Sequence, residues 1–322
     1  LLAPVLLVAM AAPAAADPAR PTNARSEVLS VTPAQSAVRV DVVGGDAFLR
    51  LRVDRGHVVI VQGYEKEPYL RFNADGTIDE NHRSPAVYLN KSRYSGAARP
   101  TDADAKATPA WVHLASGGEY TWHDHRIHFM GPHQPKGTSG WDVAISVDNV
   151  PVVVHGQFSS VTAPTSTPWW ALTVVLFVAV AVFARRLRDR MIVVAAAIAP
   201  ALWVTLAQAG VLPSQAGGTR PSLATAAIAV GLLVVGLALR SAQRSMVAGA
   251  GGALAVWGFI RRDVLNHAVL LSGLPTWVER LAVSAALGVG VAVLVSVAAE
   301  LAGFSIPTLP RRGQVSPSHA GQ

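Results

Sequence analysis

The sequence predicts a mainly β exported domain, an immunoglobulin-like antiparallel sandwich, followed by an α-helical membrane domain of about five spans. Three observations predict it. Of the 322 residues, 51% are hydrophobic and only 15% charged, whereas a soluble domain carries about 25% charged residues. The charge is partitioned: residues 38–163 hold 13 basic and 14 acidic side chains, while residues 164–322 hold 12 basic, all arginine, and 4 acidic. The apolar residues also change period, from alternation in the first half to long unbroken runs in the second. The formal net charge of +7 therefore falls in the most hydrophobic part, where arginines stand between apolar runs as they do at the ends of membrane helices. A nucleic-acid partner needs a basic face on a polar folded domain, and none is expected. The absence of cysteine excludes disulfides, thiolate zinc sites, iron–sulfur clusters, cysteine nucleophiles and the blue-copper ligand set.

Taken in order, residues 1–16 read as a signal peptide with a truncated start. An apolar stretch turns alanine-rich, and Ala14-Ala15-Ala16 before Asp17 fits the small-x-small cleavage rule. The apolar core is short for a span, which takes about 20 residues. Residues 17–37, rich in Pro, Ala and Ser, read as a flexible lead-in. The exported domain, 38–163, follows. Val38-Arg39-Val40-Asp41-Val42 and Phe48-Leu49-Arg50-Leu51-Arg52-Val53 alternate, His57-Val58-Val59-Ile60-Val61 is a β-branched run, and Tyr69-Leu70-Arg71-Phe72 leads into the turn Asn73-Ala74-Asp75-Gly76. The runs 141–147 and 150–158 flank Asp148-Asn149 as a β-hairpin. Seven to nine short strands suggest a sandwich, with 92–109 as a long loop.

The membrane domain, 164–304, has spans near 169–184, 191–212, 221–239, 245–260 and 281–299, and 305–322 is a cytoplasmic tail. Trp169 and Trp170 suit an interface, and the cluster Arg185, Arg186, Arg188 and Arg190 suits a cytoplasmic stop. Five spans place the β-domain outside the plasma membrane and the C-terminus in the cytoplasm. Eight arginines then lie inside against four outside (Arg220, Arg261, Arg262 and Arg280), in line with the positive-inside rule. A re-entrant fourth segment, giving four spans, is the alternative. The small-residue stretch Gly249-Ala250-Gly251-Gly252 and the pair Gly288 and Gly290 suit close helix packing. No acidic or histidine residue falls mid-span, so an ion-coupled pump is not expected.

Eight histidines lie within 38–163, and the dense segment is Trp122-His123-Asp124-His125-Arg126-Ile127-His128-Phe129-Met130-Gly131-Pro132-His133. On a strand, His123 and His125 share a face. With His128, Met130 or His133 they form a candidate copper or zinc site, with Asp124, Arg126 and Trp122 in support. The competing expectation is a hydrogen-bonded network at the edge of the core, with Trp122, Ile127 and Phe129 inside. A second polar stretch, 75–90, reads as a turn, a capped loop and an edge strand. Its alternative is a ligand loop of Asn81, His82, Arg83, Tyr88 and Asn90 against the histidine segment.

Glu67-Pro68-Tyr69-Leu70-Arg71-Phe72, Arg83-Ser84-Pro85-Ala86-Val87-Tyr88-Leu89-Asn90 and Trp122-His123-Asp124-His125-Arg126-Ile127-His128-Phe129-Met130 together resemble an actinobacterial family of exported, multi-pass membrane-anchored proteins. That family carries Trp or Phe before the methionine, and Phe129 stands there here. The resemblance implies architecture and host class, and no particular activity. The layout is also similar to copper-resistance fusion proteins at the level of architecture alone. The function expected is a non-enzymatic cell-envelope protein whose β-domain binds or assembles an envelope protein partner, with the helices in the bilayer. Copper or zinc handling through the histidine segment is the alternative, and a metal-dependent hydrolase is a second.

Overall fold

The computed structural model describes residues 18–91, 97–129, 137–213 and 219–303. The expected signal peptide and the tail 305–322 lie outside the described residues. The first half is antiparallel β-structure. Its strands are β1 (Ala24–Thr32), β2 (Val38–Val43), β3 (Phe48–Val53), β4 (Val59–Gln62), β5 (Pro68–Phe72), β6 (Thr77–Asn81), β7 (Trp111–Ser116), β8 (Glu119–Trp122), β9 (Thr138–Val147) and β10 (Val150–Ser160), with a short helix α1 (Pro85–Leu89) between β6 and β7. One sheet has seven strands in the order β1-β10-β9-β4-β5-β6-β7, and the other has three in the order β2-β3-β8. The seven-to-three division is more lopsided than that of an immunoglobulin domain.

The alternation read from sequence becomes two buried faces. Leu49 and Leu51 of the small sheet join Val59, Val61, Leu70, Phe72, Val143, Ile145, Val152 and Val154 of the large one in a single core. Asp148 and Asn149 both take positive φ (48° and 67°), the conformation of a two-residue turn matched to strand twist. The Asp148 carboxylate also accepts the Val58 N–H at 2.8 Å, which ties β4 to that hairpin.

Two parts of this half depart from expectation. The segment 17–37 is not a flexible lead-in throughout, because β1 occupies Ala24–Thr32 and pairs with β10. Its interleaved Arg, Ser and Glu residues hide the strand. Ser26 nevertheless takes a buried position because its Oγ accepts the Trp141 indole N–H at 2.8 Å. Within 75–90, where a turn, a capped loop and an edge strand are expected, the strand is β6, which lies between β5 and β7, and Pro85–Leu89 forms helix α1. Ser84 Oγ caps it by accepting from Ala86 N at 3.2 Å, and Pro85 stands in the first turn, where its missing N–H costs nothing.

The second half is helical: α2 (Thr167–Phe183), α3 (Leu187–Val211), α4 (Thr219–Ala238), α5 (Gln243–Ile260) and α6 (Thr276–Leu301), with a 3-10 turn at Arg262–Leu265. Three of these, α3, α4 and α6 (the last over Thr276–Glu300), are long and apolar enough to cross a membrane. That corrects the count of five. Helix α2 has only 17 residues, roughly 25 Å, and α5 opens with Gln243 and Arg244 and carries four glycines. The helices alternate in direction. Ser284 Oγ donates to Trp169 O at 3.1 Å and Gly288 lies against Thr173, so α2 runs in the same direction as α6 and begins about two turns along it. Arg190 meets Glu300 at 2.7 Å at the opposite end, and Trp257 Nε1 donates to Thr205 Oγ1 at 2.9 Å where α3 and α5 finish.

Helix α6 is the hub: 67% of its apolar window is buried within the protein, against 22% for α4. Its glycines allow this. A Cβ on Gly290 would stand 2.6 Å from Gly251 O of α5, and one on Gly288 would stand 2.5 Å from Thr173 O of α2. The small residues thus serve the close packing expected of them. Outward, α2, α3 and α4 expose Val174, Val175, Trp203, Leu206, Val234 and Leu237, an apolar surface suited to lipid contact.

The two halves touch. Thr22 and Val269 exchange backbone hydrogen bonds at 3.1 and 2.9 Å, and Ala268 N donates to Asn23 Oδ1 at 2.9 Å. Beside them Ala19, Val43, Ala47 and Phe48 pack with Leu212 and Leu271 from the helical half. Gly45, at φ 81° in the β2–β3 turn, lies so close that a Cβ would stand 2.8 Å from Thr22 Cγ2.

Candidate functional site

The histidine segment begins where β8 ends. Trp122 is the last residue of the strand, paired with Leu49 of β3, and the chain then turns. Arg126 N donates to Asp124 Oδ1 at 3.1 Å and Ile127 N to Asp124 O at 3.2 Å. An Asp side chain that captures the N–H two residues on mimics a backbone turn. The expected shared strand face for His123 and His125 is therefore absent, because the Asp124 carboxylate takes the chain out of the ladder between them.

The three described histidines of the segment take different surroundings. His123, 1% exposed, places Nδ1 2.7 Å from Ala47 O and stacks on Phe48 with ring centroids 4.2 Å apart. His125 and His128 meet edge to face at 5.4 Å, and the His125 ring lies 6.2 Å from Tyr64. Among the described residues no three His, Asp or Glu side chains are placed to hold a metal ion. Met130 and His133, the other candidate ligands, lie outside the described residues.

The centre of the turn is an ion pair. Asp124 is fully buried and accepts Arg126 Nε at 2.8 Å, Arg126 Nη2 at 2.7 Å and the Trp122 indole N–H at 3.0 Å. Burial pushes the Asp124 carboxyl up, but the adjacent guanidinium and these hydrogen bonds outweigh it and hold the group below the usual carboxylate range. Arg126 also donates to Gln62 O at 3.1 Å and lies 5.0 Å above the Tyr64 ring. The Tyr64 hydroxyl accepts His125 N at 2.9 Å and donates to Asn90 Oδ1. Burial drives its phenol pKa well above the ordinary value. Burial likewise pushes the Tyr120 phenol up to about 12. At neutral pH both hydroxyls stay protonated, and that of Tyr64 is a fixed donor to Asn90.

Tyr64 bridges the loop 81–90, through Asn90, and the histidine turn, through His125 N. Asn81 is a brace: its Nδ2 donates to Pro68 O at 2.7 Å, and its Oδ1 accepts Arg83 N and Ala110 N at 3.1 and 2.9 Å. Tyr88 donates its hydroxyl to His82 O at 3.0 Å, and His82 lies 3.2 Å from Glu80. Arg83 is exposed and Asn90 buried. Asp124 and Arg126 bond each other, whereas Asn81 is held by Pro68, Arg83 and Ala110 and Asn90 by Tyr64.

Sequence reasoning missed Tyr64 and Glu67 here. Glu67, 3% exposed, accepts Ser84 Oγ at 2.6 Å and Glu65 N at 2.9 Å, and its carboxylate fills the space left by Gly63. Both sit in the connection between β4 and β5, where the sequence offers only the Glu67-Pro68-Tyr69 stretch as a motif. A second polar cluster also went unseen, at the end of the helical half that meets the β-domain. Arg261 there pairs with the fully buried Glu279 at 3.0 Å and donates to Gln208 Oε1 at 2.6 Å. Glu279 in turn accepts the Ser272 hydroxyl and backbone N–H. The run-based span over 281–299 left Glu279 in a loop, whereas α6 starts at Thr276 and takes it inside.

Among known proteins, no family profile, no curated protein and no solved structure matches the chain.

Proposed function

We propose that the chain is a multi-pass protein of a plasma membrane whose β-domain stands outside and serves as a binding or assembly module for an envelope protein partner. The observation that carries this reading is continuous packing from the histidine turn to the helices. His123 stacks on Phe48, and Phe48 packs with Leu212 at the end of α3 and Leu271 before α6. A β-domain held in this way presents its surface at a fixed angle to the bilayer, as a docking module requires. The outward face of the large sheet offers Arg71 stacked at 4.5 Å on Trp111 and paired with Asp79 at 2.6 Å, and tryptophan and arginine are residue types enriched at interfaces. The test is affinity purification of the full chain from its own membranes in mild detergent, with wild type beside Trp111→Ala. The expected result is one stoichiometric envelope protein, lost from the variant. Recovery of the chain alone, or the same companions with both forms, overturns the reading.

The meeting of the His125 and His128 rings supports a second reading, extracytoplasmic copper or zinc binding with Met130 and His133 completing the set. Titration of the detergent-solubilised chain with copper and with zinc tests it. Equal, weak binding by wild type and by His125→Ala/His128→Ala removes it.

A further inference from the structure

Where the helical half meets the β-domain there is a cavity of about 330 Å³, at the small end of the range for ligand sites. Its wall brings together Arg20, Ser222 from the first turn of α4, Arg261, Arg262 and Asp263. Three arginines and one aspartate line it; the Arg262 guanidinium lies over the Phe259 ring and donates to Phe259 O at 2.9 Å, and the Arg261 charge is offset by Glu279 behind it.

Two atoms of that wall are unsatisfied. Ser222 is 1% exposed and its Oγ has no hydrogen-bond partner. Arg261 is 7% exposed, and although Nη1 and Nη2 are bonded to Gln208 and Glu279, its Nε is buried without a partner. Buried polar atoms rarely stay unpaired because stranding them is costly. Both can donate, so the group that satisfies both is an acceptor. Helix α4 begins at this wall, and the start of a helix favours negative charge through its free N–H groups and its dipole. Pro221 removes one of those N–H groups, and the Ser222 hydroxyl adds a donor in the same turn.

We infer that this cavity is a phosphate-type oxyanion site, with Ser222 and Arg261 as the buried donors, the start of α4 as the dipole and Arg20 as the outer charge. Two sources share that chemistry, the headgroup of an anionic phospholipid and a free phosphate. The site lies at the end of helices long enough to cross a bilayer, a level at which lipid phosphates lie. The free-phosphate arm of the test does not depend on the membrane reading.

The experiment uses the full chain purified in mild detergent. Thermal unfolding is followed in inorganic phosphate against chloride at equal ionic strength, and with added phosphatidylglycerol. Native mass spectrometry counts retained phosphatidylglycerol. Ser222→Ala and Arg20→Ala are the test variants, since neither disturbs the Arg261–Glu279 pair, and Arg240→Ala near the opposite end is the control. The expected result is stabilisation of wild type that shifts to about tenfold higher ligand concentration in Ser222→Ala, a loss of one hydrogen bond to a charged group. A severalfold shift is expected in Arg20→Ala and none in Arg240→Ala. Response to both ligands assigns a site open to free phosphate, and response to phosphatidylglycerol alone assigns a lipid headgroup. No response to either overturns the inference. So does an equal response in wild type and Ser222→Ala, or an equal loss in Arg20→Ala and Arg240→Ala, which would mark general charge attraction.

Discussion

Asp124 governs the histidine turn. Its carboxylate is at once the acceptor for the Trp122 indole, the cap of the turn through Arg126 N and the partner of the Arg126 guanidinium. Removing the charge of one member of a buried pair strands the other, at about 3–5 kcal/mol. Arg126 keeps some solvent contact, with 18% of its side chain exposed, so Asp124→Asn is expected near the lower end, at about 3 kcal/mol, by thermal or denaturant unfolding of the full chain in detergent. The pair also sets a pH dependence. Folding lowers the Asp124 pKa, so its stabilisation is complete above the unfolded carboxyl value of about 4 and disappears as pH falls through the lower folded value. Wild type should lose stability on acidification below about pH 4, and Asp124→Asn should show a flatter profile across that range. Equal slopes for the two proteins would remove Asp124 from the acid response.

Two close approaches decide how elements pack. In the β-domain, Gly156 of β10 lies opposite Trp141 of β9, and a Cβ on Gly156 would stand 2.0 Å from the indole Cζ2. The ring lies over the glycine, with its N–H fixed to Ser26 on β1, so it cannot move without breaking the link between β1 and β9. Gly156→Ala should destabilise by about 1–3 kcal/mol through overpacking. Trp141→Leu should relieve the clash, so a double-mutant cycle should show strong coupling between the two positions. In the helical half, Gly290 and Gly251 bring α6 and α5 into backbone contact. Gly290→Val should force these helices apart, lower the thermal midpoint in detergent and broaden the size-exclusion peak. Gly210, which has open space about it, should accept alanine without either effect.

For the whole molecule, the decisive feature is the seam between the halves. It is small: the Thr22–Val269 exchange of hydrogen bonds, the Asn23 contact to Ala268 and the apolar cluster of Ala19, Val43, Ala47, Phe48, Leu212 and Leu271. Leu271→Ala should remove about 2–3 kcal/mol of packing. Its signature should be local. Amide exchange should rise at Thr22, Ala268 and Val269 and stay unchanged along the β9–β10 hairpin. If exchange rises evenly through the β-domain, the seam is part of the domain core and not a separate contact.

Much of this was written in the sequence where the physics is local. Alternation at 38–42, 48–53 and 69–72 became β2, β3 and β5, and the Asp148-Asn149 turn became a hairpin, because side-chain period and turn conformation are set within a few residues. Apolar runs bounded by arginine became helices for the same reason. The sequence alone also confined any metal ligation by side chains of the β-domain to histidine, carboxylate and thioether groups by lacking cysteine. Only the tertiary structure decided which polar residues have partners. Ser26 is a strand residue because Trp141, 115 positions away, supplies its hydrogen bond. Glu279 belongs to a buried helix turn because Arg261 and Ser272 meet it there. His123 and His125 part company because Asp124 finds Arg126 and Trp122 at once. The free energy of a buried polar group depends on what stands opposite it, and that is a property of the folded chain rather than of any stretch of sequence.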